Sequence, residues 1–203
     1  MLTGERLYLR AMEERDVADR VRWTNDPIVS QTIGMDFPPI SEAATRQWLQ
    51  QSALDNHRKD FIICLKDDDR PIGCLGLRGI DWRHSKAEIY LVIGERDLWG
   101  QGYGKESQKV LVRYSFQILG LNRLYSCSLA SNEAMIRVNL SLGFQLEGTL
   151  RDDVFDHGQF RDRVVTGITA SAHRERLIHD EIVSDAVVCA RFRKSHPHIE
   201  QGL

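Results

Sequence analysis

A chain of 203 residues is long enough for one domain with a substantial core, burying roughly 70% of the surface its unfolded form exposes. Its 27 basic and 29 acidic residues leave a formal net charge of −2, which gives no argument for nucleic acid as a partner, and no apolar run approaches the ~20 residues of a membrane span. Cys64, Cys74, Cys127 and Cys189 show no C-x-x-C spacing, so no metal site is expected, and Met1 to Arg10 lacks the apolar core of a signal peptide, so the expected compartment is the cytoplasm.

In chain order, Glu5 to Arg10 alternates apolar and charged residues, as a half-buried strand does. Glu13 to Trp23 reads as a helix with Val17 and Val21 inward, and Asn25-Asp26-Pro27 ends it, because proline disfavours helix in the residue before it. Phe37-Pro38-Pro39-Ile40 is a loop, and Ser41 is an N-cap for a second helix, Glu42 to about Leu54. Trp23, Phe37 and Trp48 are expected in the core or in a wall. Phe61 to Leu65 and Ile72 to Leu77 form an antiparallel meander, joined by the solvated turn Asp67-Asp68-Asp69-Arg70-Pro71. Asp81 to Ser85 is a connection in which His84 reads as a solvated loop histidine. The strand Lys86 to Ile93 follows, and its period of two places Glu88, Tyr90 and Val92 on one face.

That strand feeds Asp97-Leu98-Trp99-Gly100-Gln101-Gly102-Tyr103-Gly104-Lys105-Glu106-Ser107, and a helical run, Lys105 to Leu119, leaves it. Glycines at alternate positions allow a tight turn with uncovered amides, and a helix N-terminus favours negative charge there. The stretch therefore reads as a phosphate or pyrophosphate cradle with Lys105 at its rim. It is not a P-loop: three residues, not four, separate Gly100 from Gly104-Lys105, and Glu106 stands where a hydroxyl should be. Nor is it the dinucleotide fingerprint, since the spacing is G-x-G-x-G. The helix after the turn is expected to bury Val110, Leu111, Tyr114 and Ile118 and to end at Gly120.

Arg123 to Leu129 is the next strand, and Asn132 to Phe144 a helix begun by Asn and ended by Gly143. Gln145 to Arg151 and Phe160 to Ile168 close the pattern as a hairpin through Asp156-His157-Gly158. The tail, residues 171–203, contains one amphipathic stretch, Glu181 to Phe192, that suits a short helix.

The glycine turn and the Asn132 to Phe144 helix, in this order, resemble the GNAT superfamily of N-acetyltransferases. The W-G-x-G-Y form of the turn at Trp99 to Tyr103, the early E-R-L-x-L-R strand, the W-x-N-D-P helix end and Glu147-Gly148 with Arg151, Gly158 and Asp162 resemble its branch of ribosomal-protein N-terminal acetyltransferases. The resemblance covers about residues 4–170 and implies a domain 1–170 followed by an extension 171–203. It implies an α/β (α+β) fold: a mixed, mostly antiparallel sheet of about six or seven strands, splayed at the cofactor site, with about four helices.

It also implies acetyl-CoA as co-substrate and an amine as acceptor, either a small molecule or a protein N-terminus. Gln101, Gly102, Tyr103, Gly104 and Lys105 would hold the pyrophosphate; Val92, Ile93 and Asn132 would flank the pantetheine. Glu88 is the candidate base, the other reading being a surface carboxylate at the strand start. Asn139 stands where many members carry a tyrosine that protonates the leaving thiolate, so it is expected to contact the cofactor without acting as an acid, while Ser141 is expected to have turned away. A non-catalytic acyl-CoA-binding or sensing module of the same fold is the alternative. No nucleic acid, membrane or metal is expected as a partner, and a homodimer is left open.

Overall fold

The computed structural model describes residues 2–33 and 39–179. The alternating segments form eight strands: β1 (Leu2–Thr3), β2 (Leu7–Ala11), β3 (Lys59–Leu65), β4 (Pro71–Asp81), β5 (Lys86–Ile93), β6 (Arg123–Leu129), β7 (Gln145–Asp156) and β8 (Gln159–Thr169). The helices are α1 (Val17–Asn25), α2 (Pro27–Ile33), α3 (Glu42–Leu54), α4 (Tyr103–Gln117) and α5 (Glu133–Ser141), with residues 170–179 forming α6. One sheet runs β1-β2-β3-β4-β5-β6-β8-β7, and every neighbouring pair is antiparallel except β5 and β6.

Alternation along the strands feeds two apolar layers. Ile63 of β3 joins Leu75, Ile89, Leu111 and Phe144 in the main core, on the α4 face. Its neighbours Ile62 and Cys64 point the other way, into a smaller cluster with Trp23 and Cys74 under α1. Both faces of the sheet are thus covered, as a layered α/β domain requires.

The expected elements are present with four differences. Among the described residues the sheet has eight strands rather than six or seven, and six helices accompany it rather than about four. Pro27 does not merely stop a helix: it opens α2, where its missing N–H costs nothing, and Asp26 Oδ1 accepts from the Ile28 amide at 2.8 Å. Strand β7 continues past Arg151 to Asp156, where His157 and Gly158, with φ of 50° and 77°, make the two-residue hairpin turn. Ile118 is 71% exposed, because α4 has ended at Gln117 and Gly120, at φ 67°, turns the chain. Beyond β8 the chain continues into α6, which packs Ala172 and a buried His173 onto the same body, and Arg176 Nη2 donates to Ser141 O at 2.7 Å. Phe37, Cys189 and the expected helix Glu181 to Phe192 lie outside the described residues.

Candidate active site

The site starts from a failure of strand pairing. β5 and β6 pair only at Lys86↔Arg123, Ala87↔Leu124 and Glu88↔Tyr125. Beyond Glu88, β5 stays with β4 as far as Ile93, while β6 stays with β8 as far as Leu129. The two strands therefore splay, and their facing backbone groups have no sheet partner in the gap. A cleft of about 520 Å³ opens there, walled by Leu91, Val92 and Ile93, by the glycine turn and by α5.

The turn is shaped by its glycines. Gly100 and Gly102 have φ of 74° and 86°, a region side chains other than glycine's rarely adopt. Gly102 caps α4 without a side chain, and the first intrahelical bond is Glu106 N–H to Gly102 O at 3.0 Å. The amides of Tyr103, Gly104 and Lys105 precede it and have no intrahelical acceptor. A Cβ on Gly104 would meet Leu91 Cδ2 at 3.2 Å, so glycine there lets α4 approach β5. This anion cradle suits a pyrophosphate.

Neighbouring side chains hold the turn in place. Trp99 Nε1 donates to Ile93 O at 2.8 Å, and Gln101 folds back, its Nε2 donating to Asp97 O at 2.7 Å. Gln101 thus shapes the turn with its side chain instead of lining the cleft. Arg6 braces it from the sheet edge: it pairs with Glu106 at 2.8 Å, donates to Gln101 O at 3.1 Å and stacks on the Tyr103 ring at 4.3 Å. Burial pushes the Glu106 carboxyl up, but bonds from the Arg6 amide and guanidinium bring it below the usual range. The part played by Arg6 was not legible from the sequence, since nothing local links it to the turn.

At the start of α5, Asn132 is the helix cap the sequence suggests. Its Oδ1 caps the helix by accepting from Met135 N at 3.0 Å, its Nδ2 donates to Thr32 O at 2.8 Å, and it borders the cleft. Ala134, Val138 and Ser141 continue this wall at helical spacing. The expectation for the next turn is reversed by helix phase. Asn139 is wholly buried on the opposite face, where Gln108 Nε2 donates to its Oδ1 at 2.6 Å and its own Nδ2 donates to Thr166 Oγ1 at 2.9 Å. It bridges α4, α5 and β8 and does not border the cleft. Ser141, expected to have turned away, does border it.

A second cavity, of about 410 Å³, lies against β4 and β5 and shares Val92 with the cleft. Trp23, Trp48 and Tyr90 supply its aromatic walls, and Arg20, Arg58 and Arg78 its charge. Trp48 lies between two guanidiniums, Arg20 at 3.8 Å and Arg58 at 5.1 Å from its ring centre. Arg58 binds both oxygens of Asp60, at 2.9 and 3.0 Å, and the Tyr90 hydroxyl donates to the same carboxylate. Burial, with Asp60 beside it, pushes the Tyr90 hydroxyl well above its ordinary pKa, so it stays protonated.

Glu88 occupies the last paired position before β5 and β6 part, with its side chain 17% exposed. Arg78 Nη2 donates to Glu88 Oε1 at 2.6 Å, and Arg78 itself borders the second cavity. Of the other sequence candidates, Trp23 and Trp48 form walls as expected, and His84 is an exposed turn residue held by Asp81 at 2.8 Å. The three arginines were missed. One local signal existed: Arg20 and Trp23 are three apart on α1 and share a face. The other two come from the connection just before β3 and from β4, and meet them only in three dimensions.

The sequence model of the acetyltransferase (GNAT) domain matches residues 6–145. An uncharacterized N-acetyltransferase of Bacillus licheniformis is 35% identical over 153 residues, covering 74% of this chain and 85% of that protein. A spermidine N(1)-acetyltransferase of Escherichia coli is 29% identical over 110 residues, 54% of this chain and 58% of that one. Among solved structures, the spermidine N-acetyltransferase from Vibrio cholerae in complex with CoA and spermine superposes with a TM-score of 0.78 at 24% identity. That likeness, over 83% of this chain and 98% of that one, establishes a common fold.

Proposed function

Because the chain belongs to the GNAT acetyltransferase family, we propose that it transfers the acetyl group of acetyl-CoA to the primary amine of a small molecule, by direct attack in a ternary complex. The observation that carries this is a pair of cavities with Val92 in the wall of both, one bordered by an anion cradle and the other walled by aromatic and charged side chains. A cavity of about 410 Å³ is the size of a small-molecule site, which favours a small amine over the protein N-terminus acted on by the ribosomal-protein branch.

In this reading the amides of Tyr103, Gly104 and Lys105 hold the pyrophosphate, with the Lys105 ammonium at the rim. The pantetheine takes the place of the missing strand pairing along the edge of β5 near Val92 and Ile93, flanked by Asn132. Backbone groups there polarise the thioester carbonyl. The amine enters through the second cavity, and holding the two reactants at Val92 supplies much of the rate. As the C–N bond forms, the amine proton passes along a chain of waters to Glu88, and the C–S bond breaks with its electron pair leaving on the CoA sulfur, which is protonated from solvent. A thiolate is a far better leaving group than an amide nitrogen and can take its proton from water, so no tyrosine is required in the place of Asn139.

Thiol release from acetyl-CoA, measured against a panel of small amines and peptides, tests the assignment. Release with small amines is expected. Acetyl-CoA binding without release from any amine would return the chain to a binding or sensing role, and release with peptides alone would make the acceptor a protein N-terminus.

Asn139→Ala separates scaffold from site. It should lower stability by about 1–3 kcal/mol, because Gln108 and Thr166 lose a buried partner. Acetyl-CoA affinity, measured by calorimetry below the melting transition, should be unchanged. A large loss of affinity at unchanged stability would put Asn139 back at the cofactor.

A further inference from the structure

We propose that the acceptor carries a carboxylate beside its amine and that Arg20 binds it, so that the substrate class is an amino acid or similar small amino-carboxylate. This rests on the acetyl-transfer reading and narrows its acceptor.

The second cavity is bordered by three guanidiniums and by no carboxylate among the described residues. Two of the three are already paired: Arg58 with Asp60 at 2.9 Å and Arg78 with Glu88 at 2.6 Å. Arg20 has no carboxylate within ion-pair distance among the described residues. Its contacts are the Trp48 ring, at 3.8 Å, and a long donation to Cys74 Sγ at 3.9 Å. Its Nε is buried without a hydrogen-bond partner, and so is the Nε of Arg78 across the cavity.

A guanidinium that is partly desolvated and short of acceptors is a costly arrangement unless something else completes it. The group that matches its planar fork is a carboxylate, taken through two parallel N–H donors. The Trp48 face holds the Arg20 plane in place, so little further ordering is needed on binding. A carboxylate docked there would leave its neighbouring amine free to turn toward Val92, where the cofactor cleft begins. A polyamine offers the opposite: several ammonium groups set against one uncompensated guanidinium and two paired ones. The cavity charge therefore separates this chain from the spermidine acetyltransferases it is similar to.

The test uses the full chain, with the common L-amino acids and their α-carboxamides as matched acceptors and spermidine as the cationic comparator. Calorimetric titration into the protein saturated with CoA should show binding of at least one amino acid about tenfold or more tighter than its carboxamide. Arg20→Gln should erase that difference by weakening the amino acid alone, with the KM for acetyl-CoA unchanged, and Arg20→Lys should restore part of it. Equal loss for acid and amide would overturn the inference, as would turnover of spermidine at a kcat/KM equal to or above that of every amino acid; both leave acetyl transfer standing. Failure to bind acetyl-CoA would overturn the transfer reading, and this inference with it.

Discussion

Glu88→Gln is expected to lower kcat by about 10²- to 10⁴-fold while leaving the affinity for acetyl-CoA unchanged. Glutamine keeps the size and the hydrogen-bonding reach of glutamate but cannot take a proton. Glu88 sits where β5 and β6 part, on the strand face that also carries Tyr90 and Val92, and borders neither cavity, so its carboxylate is linked to an amine at Val92, about 13 Å along the strand, through a chain of waters. Its carboxylate accepts from Arg78, and that bond raises the Arg78 guanidinium above its ordinary pKa against the opposing effect of burial. The acidic limb of the kcat profile, which reports the base losing its charge, should disappear in the variant. The ion pair also defines the contrary result. If kcat and its pH profile stand and only the acceptor KM rises, Glu88 serves to hold Arg78 at the cavity, and the proton goes elsewhere.

Features fixed by neighbouring residues were legible in the chain itself. The G-x-G-x-G turn after a β-branched strand announced an anion cradle, and Gly100 and Gly102 adopt the left-handed backbone that made glycine necessary. Asn132 and Ser41 announced helix starts and cap them. Features fixed by distant contacts were not. Asn139 was assigned to the cofactor by its position in a motif, whereas the phase of α5 turns it to Gln108 and Thr166 and brings Ser141 to the cleft. Two family-like positions in the last hairpin also proved to be scaffold: Glu147 pairs with Arg123, and Asp162 Oδ1 accepts the Asp152 amide at 2.9 Å. The arginines of the second cavity come from α1, from the connection before β3 and from β4, too far apart in the chain for any local pattern to join them.

Gly94→Ala is expected to cost about 3 kcal/mol of stability, at the upper end of what overpacking a core position costs. Gly94 needs no special backbone angle, so its requirement is invisible locally and lies wholly in what it touches. A Cβ there would stand 2.1 Å from Trp23 Cγ and 2.3 Å from Cδ1 and Cδ2, with no room on the ring face. Neither side can yield cheaply. The Gly94 amide is tied to Ile72 O at 2.9 Å. Trp23 is 2% exposed, and its indole N–H donates to Glu95 Oε1 at 2.8 Å. Burial pushes the Glu95 carboxyl up, but Arg22, Trp23 and Arg70 together hold it below the usual carboxylate range, so this anchor stays charged near neutral pH. The melting temperature should fall by roughly 6–12 °C for a chain of this size. Because Trp23 walls the second cavity and Gly94 follows Ile93 of the cleft, protein that remains folded should show a raised acceptor KM. Trp23→Ala removes the clash, so the double variant should be less destabilised than the two single losses added together. Strict additivity, or a Gly94→Ala protein melting with wild type, would mean that the ring and the strand end do not meet, and the wall of the acceptor cavity would have to be drawn without Trp23.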